Sequence, residues 1–264
     1  MISDILLALF LACIQGLTEF LPVSSSAHLL LPSKLFGVKD FGLIFDIAVH
    51  AGTLVAVIYY FSSDLRKLFL SWLPWTNDRN KEDFMLGSNL IIATIPIFLV
   101  GFIFSDLTST RIYTVDSIAW ANIIFAGLLF LVFKLSNQTK SIVGLTFTMA
   151  LLIGCFQALA VFPGASRSGM AITGALLVGL NLKESSKFAF LLSIPTILGA
   201  LLVMIFKEAY SISLNDFIIL FVGFIGSAII AFLTIKIFLQ FVQKIGMIPF
   251  VLYRVVLGSI LLLL

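Results

Sequence analysis

The sequence predicts an all-α integral membrane protein built as an inverted-topology repeat, and three observations carry that prediction. The 264 residues are 61% hydrophobic and only 11% charged, whereas soluble domains carry roughly 25% charged residues. The apolar stretches reach the length of about 20 residues that a helical crossing of the bilayer needs, with short polar turns between them. Two stretches rich in proline, serine and small residues interrupt this pattern, and the second repeats the first.

About ten helices follow in order. Residues 3–20 form an apolar helix that ends at Pro22, because proline cannot continue it. Residues 24–36 form a shorter helix ending near Gly37, and neither member of this pair need cross the bilayer. Full-length spans fit residues 42–61, 85–105 and 116–134. A second broken pair follows at 144–161 and 166–180, then spans at 188–206, 217–236 and 248–264, which makes six crossings and two re-entrant pairs. The first helix lacks a basic leading segment and a small-residue cleavage site, so it reads as retained structure. Cys13 and Cys155 sit in apolar runs without metal-ligand spacing and are expected to be small buried side chains.

The duplication is visible residue by residue. Cys13-Ile14-Gln15-Gly16-Leu17 opens one break and Cys155-Phe156-Gln157-Ala158-Leu159 opens the other, with a proline seven residues after the first glutamine and six after the second. Val23-Ser24-Ser25-Ser26 follows Pro22, and Gly164-Ala165-Ser166-Arg167-Ser168 follows Pro163. Gly52-Thr53-Leu54 lies 30 residues after Pro22, and Pro195-Thr196-Ile197 lies 32 after Pro163. The halves are thus 1–134 and 135–264, together one membrane domain. Each holds three crossings, an odd number, so the copies must be upside down relative to each other, with a site near the midplane where the breaks meet.

Charge agrees with this arrangement. The loops on one side carry Arg66, Lys67, Arg79, Lys81, Lys134, Lys140, Lys183, Lys187, Lys236 and Lys244, and the other side has Lys34, Lys39, Arg111 and Lys207, a ratio of ten to four. The positive-inside rule makes the first side cytoplasmic and puts both termini outside. The net charge of +3 is then a topology signal, and no nucleic-acid partner is expected.

The stretch Gln15 to His28, QGLTEFLPVSSSAH, concentrates polar groups in an apolar region, and intramembrane polar groups mark functional sites. Gln15 and Glu19 share a helix face. Ser24 stands where it would cap the next helix, whose free N–H groups could face an anion. In the second break Arg167, beside Ser166 and Ser168, suits a planar multi-oxygen anion such as phosphate. The less favoured reading is a purely structural pair with Glu19 across the two breaks, since a buried ion pair by itself adds little stability. Arg254, beside Tyr253 in the last span, admits a structural or a lipid-facing role. Asp46 and His50, one turn apart, read either as an interfacial pair or as support for the site. Asn89 and Asn122 are expected to hydrogen-bond between helices.

Together, QGLTEFLPVSSSAH and PGASRSG resemble the bacterial undecaprenyl-diphosphate phosphatase family, also called the bacitracin-resistance family, and the resemblance extends over nearly the whole chain. It implies a multi-pass enzyme of the bacterial inner membrane. Such an enzyme needs a divalent cation, opens its site to the outer face, and removes one phosphate from undecaprenyl diphosphate so that the lipid carrier of cell-wall synthesis is reused. The family's Glu/Gln-x-x-x-Glu pattern falls on Gln15 and Glu19, here in the amide form. Its serines and histidine fall on Ser24, Ser25 and His28, and its second motif on Pro163, Gly164, Ser166, Arg167 and Ser168. The threonine that usually ends that motif would fall at Ala171, and Thr173 lies on a different helix face.

Diphosphate hydrolysis needs neutralised phosphate oxygens, an in-line nucleophile and help for the leaving group. Arg167 and the helix N-termini supply positive potential. Glu19 is the expected ligand for a hard cation, Mg2+ or Ca2+. Ser25 is the expected nucleophile, with His28 or Glu19 taking its proton, while Gln15, Ser24, Ser26, Gly164, Ser166 and Ser168 contact substrate. In the alternative, water attacks and the serines only hold oxygens. A lipid flippase or secondary transporter fits the same architecture, and an intramembrane serine protease fits less well. The oligomeric state is open, a homodimer being compatible with the sequence.

Overall fold

The computed structural model describes residues 2–73, 80–104, 114–207 and 214–263. Among them are eleven α-helices and no strand: α1 (Ile2–Thr18), α2 (Ser25–Phe36), α3 (Leu43–Tyr60), α4 (Ser62–Trp72), α5 (Lys81–Ile103), α6 (Val115–Leu135), α7 (Phe147–Ala158), α8 (Arg167–Leu177), α9 (Leu182–Lys207), α10 (Leu214–Ile245) and α11 (Ile248–Leu263). The all-α membrane class holds. Of the counted basic residues, Arg79 and Arg111 lie outside the described residues, as does the side chain of Lys207.

Five helices, α3, α5, α6, α9 and α10, are long and apolar enough to cross a membrane. The sixth expected span is α11, which has 16 residues and extends roughly 24 Å at 1.5 Å per residue. Helix α4 replaces part of the loop expected over 62–84. It buries Leu68 and Ser71 while exposing Arg66, Lys67 and Phe69, an amphipathic pattern that a search for apolar length passes over. Helix α10 has 32 residues and carries Lys236 and Lys244 on its final turns, so a segment expected as loop is largely helix. The reverse holds at the first break, where α1 stops at Thr18, before Pro22.

The packing crosses between the halves of the chain: α1 lies against α10, and α7 against α5. Both contacts are close at a glycine. A Cβ on Gly16 would stand 2.7 Å from the Ile230 Cβ, and one on Gly154 would collide with the Ala93 carbonyl oxygen. Without a hydrophobic drive between helices in lipid, such small-residue approaches supply the packing. Helix α3 packs on α9 and α10, α6 packs on α11, and α9 is the most buried of the long helices. On peripheral α5, Ile91, Ile95, Phe98 and Phe102 form an outward apolar stripe at helical spacing, suited to lipid.

A connector fixes the far end of α8. Lys140 N–H donates to the Gly179 carbonyl (2.9 Å), Asn181 N–H to the Lys140 carbonyl (3.0 Å), and Lys140 Nζ to the Val178 carbonyl (2.9 Å). Helix α8 is thereby held at its C-terminal turn while its N-terminal residue, Arg167, faces the interior.

Candidate active site at the meeting of two helix breaks

Each break turns on a serine in a backbone conformation that serine rarely adopts. Ser24 (φ 74°) and Ser166 (φ 71°) are the only non-glycine residues with positive φ among those described, and each immediately precedes a helix. Strained backbone of this kind persists where surrounding structure over-determines it. Ser166 caps α8, its Oγ accepting from Gly169 N–H at 3.1 Å. Ser24 does not cap α2 as expected; its Oγ instead lies 3.3 Å from Ser26 Oγ. The two serines share φ and differ little in ψ (92° and 108°), so the difference is one of side-chain rotation. As a result, the first-turn N–H groups of α2 have no side-chain cap from Ser24, the configuration that favours an anion.

Glu19 joins the two breaks. It is 6% exposed, and its Oε1 accepts from Arg167 Nη2 at 2.6 Å. Its Oε2 accepts from Ser25 Oγ at 2.6 Å and from Gln15 Nε2 at 2.9 Å. A second link between the breaks runs from Ser168 Oγ to the Leu21 carbonyl at 2.8 Å. Arg167 also stands 5.9 Å over the Phe20 ring, and Phe20 is fully buried, edge-on to Phe190. The expected Glu19–Arg167 pair is therefore formed, and Arg167 Nη1 makes only a 3.5 Å contact, with the Ala189 carbonyl.

The other expected residues divide. Gln15 and Ser25 join Glu19 and Arg167. Ser26 is exposed beside Ser24. Gly164, Ser166 and Ser168 build the second break: Gly164 has φ 91°, and its carbonyl accepts from Arg254 Nη2 at 2.7 Å. His28 has partners other than Ser25. Its Nδ1 donates to the Ser24 carbonyl (2.7 Å), and its Nε2 meets the Tyr253 hydroxyl (2.5 Å) with the two rings stacked. Ala171 is buried, and Thr173 Oγ1 donates to its own helix at Gly169.

Arg254 takes the structural role and not the lipid-facing one: it is fully buried and donates to the Gly164 and Ala165 carbonyls. Asn89 bonds across to the Leu145 carbonyl, whereas Asn122 bonds within its own helix to Ile118, because its amide reaches that carbonyl one turn back. The cysteines are less buried than expected: Cys13 is intermediate and Cys155 exposed, on the outward side of a helix only partly covered by protein. Sequence reasoning gave Tyr253 no role; its one signal was a hydroxyl beside an arginine in an otherwise apolar helix.

No group of three or more His, Cys, Asp or Glu side chains forms a metal cage among the described residues. Two such donors do face each other, Glu19 Oε2 and His50 Nε2 at 3.7 Å, and the fully buried Gln15 Oε1 has no hydrogen-bond partner. This donor set fits a divalent cation whose remaining ligands are substrate oxygens.

The family described as Bacitracin resistance protein BacA matches residues 8–260. A protein of Saccharophagus degradans named undecaprenyl-diphosphatase is 44% identical over 258 residues, covering 97% of this chain and 96% of its own. One of the same name from Teredinibacter turnerae is 42% identical over 259 residues, covering 98% of each. With a family match across nearly its whole length and relatives at this identity, the chain belongs to the bacitracin resistance protein BacA family.

Proposed function

We propose that this protein is a membrane-embedded undecaprenyl-diphosphatase, which hydrolyses undecaprenyl diphosphate to undecaprenyl phosphate and inorganic phosphate and so returns the lipid carrier to cell-wall synthesis. The activity also accounts for bacitracin resistance. The carrying observation is one carboxylate, Glu19, bonded at 2.6 Å both to a serine hydroxyl and to an arginine from the opposite break.

That arrangement supports a covalent route. Ser25 Oγ attacks the terminal phosphorus while Glu19 Oε2 takes its proton, and the bond from phosphorus to the bridging oxygen breaks, releasing undecaprenyl phosphate. Glu19 passes that proton to the departing lipid phosphate and is freed to take one from water, which attacks the phosphoserine; as the bond from phosphorus to Ser25 Oγ breaks, Glu19 returns the proton to Oγ, releasing inorganic phosphate and restoring Ser25. Arg167 stabilises charge on the equatorial oxygens, and the uncapped first turn of α2 adds N–H donors. His28, bonded to Tyr253, orients α2 and is not the base for Ser25. A bound divalent cation at Glu19 and Gln15 would supply neutralising charge to the phosphate oxygens.

The same reading assigns the enzyme to the bacterial inner membrane, with both termini and the mouth of the site on the outer face. The halves 1–134 and 135–264 form inverted copies. The exchanged contacts of α1 with α10 and of α7 with α5, and the twin serines at positive φ, support that organisation.

The test is phosphate release from undecaprenyl diphosphate by detergent-solubilised protein. A hydrolase releases phosphate there; a flippase or transporter, having no compartments to work between, does not. Absence of release with either Mg2+, Ca2+ or Mn2+ would overturn the reading.

A further inference from the structure

We infer that His50 is a ligand of the divalent cation, sharing it with Glu19, and that the resulting mixed nitrogen and oxygen donor set favours a transition-metal dication over Ca2+. This rests on the reading of the Glu19 site as a lipid-diphosphate phosphatase centre.

The argument begins with the tautomer. His50 Nδ1 lies 2.7 Å from the carbonyl of Asp46, one turn earlier in α3. A carbonyl only accepts, so Nδ1 carries the hydrogen and the lone pair of the neutral ring is on Nε2. That nitrogen faces Glu19 Oε2 at 3.7 Å, too far for a hydrogen bond. Two lone pairs at this separation match the span between two ligands of one ion. With arms of about 2.1 Å to each atom, the angle at the ion is roughly 120°, somewhat wider than tetrahedral. A backbone carbonyl orienting the distal ring nitrogen is the usual support of a metal-bound histidine.

The surroundings agree. Gln15 is fully buried, and its amide donates to Glu19 Oε2 through Nε2 while Oε1 has no partner. Turning that amide over presents Oε1 as a third donor. Glu19 alone cannot offset both the Arg167 guanidinium and a dication, so phosphate oxygens complete the shell and the cation binds best together with the diphosphate. An imidazole among the donors favours transition metals over Ca2+, which takes oxygen ligands.

The alternative is a protonated His50 paired with Glu19, without a metal. Electron spin-echo envelope modulation of Mn2+ separates the two, since it reads nitrogen bonded to the ion. The protein, purified through a histidine-free tag and loaded with Mn2+ and inorganic pyrophosphate, should show nitrogen modulation that changes on labelling its histidines with 15N. The chain has two histidines, so His28→Gln leaves His50 as the sole candidate and should retain the signal. His50→Gln should lose it and weaken Mn2+ binding about tenfold or more. Bound Mn2+ without nitrogen modulation, modulation lost in His28→Gln and kept in His50→Gln, or no Mn2+ binding at all would each overturn the inference. Phosphate release measured on the same preparations keeps the readings apart: hydrolysis without nitrogen modulation removes the His50 ligand alone, and modulation without hydrolysis removes the phosphatase reading alone.

Discussion

Glu19 bonds Gln15, Ser25 and Arg167 at once, so the sharpest expectations of the proposed chemistry concern it and its partners. Glu19→Gln removes the charge that balances Arg167 and the proton acceptor for Ser25, while keeping the side chain's shape. Arg167→Ala removes the cation at the first residue of α8. Each should reduce phosphate release about 100-fold or more, the usual effect of deleting one electrostatic group from an active site, with the protein still inserted and monodisperse. Retention of more than about a tenth of the wild-type rate by either would count against the assignment. The serines should separate. Ser25→Ala should abolish both turnover and the phosphoserine caught by rapid quench. Ser24→Ala should keep most activity, since the Ser24 side chain makes no cap and only contacts Ser26. Equal losses in the two variants, with no phosphoserine in wild type, would favour direct attack by water. Glu19, Ser25 and Arg167 could be read from sequence because charged and hydroxyl groups beside a proline stand out in an apolar chain. The histidines could not be ranked that way. His28 lies near Ser25 in sequence, yet its partner is Tyr253, 225 residues away, while His50 reaches Glu19 from another helix.

At the scale of elements, α11 reaches both breaks with consecutive residues. Tyr253 bonds His28 of α2, and Arg254 bonds the carbonyls of Gly164 and Ala165 in the second break. Neighbours on a helix diverge by about 100°, which lets one helix serve two loops. Arg254→Met keeps the apolar stem and leaves both carbonyls without this donor, at a cost of about 1–3 kcal/mol. It should lower the unfolding temperature in detergent, with Tyr253→Phe milder because ring stacking survives. An unchanged unfolding temperature in Arg254→Met would mean that water or relaxed backbone satisfies these carbonyls and that α11 holds no loop. This role was not legible beforehand: an arginine in a span signals importance, but its partners are backbone carbonyls, which carry no residue-specific mark. Element lengths were legible where apolar length decides them, as in α5 and α6. They were misjudged where amphipathicity decides, as in α4, and where lysines continue a helix, as at the end of α10.

For the whole molecule, the decisive question is how the two halves lie in the bilayer. The first helix of each half packs on the middle span of the other, α1 on α10 and α7 on α5. Glu19 and Arg167, 148 residues apart, meet at 2.6 Å between the two halves. The expectation of a duplication came from the order of glutamine, proline and serines that both breaks keep. What sequence could not supply was the asymmetry between the breaks, in which Ser166 caps its helix and Ser24 does not. Sidedness then rests on charge, and the structure keeps Lys81 and Lys244 exposed at the ends of α5 and α10, with Lys39 exposed between α2 and α3. In a variant with Cys13 and Cys155 replaced, the latter being exposed, single cysteines at Lys81 and Lys244 should react with a membrane-impermeant maleimide only after the cells are opened. Cysteines at Lys39 and Arg111 should react in intact cells. The positive-inside bias orients loops of this length reliably, so the two groups must separate cleanly if the copies are inverted. Labelling of Lys81 and Arg111 from the same side would make the number of crossings between them even, and the two breaks would then have to enter from one face.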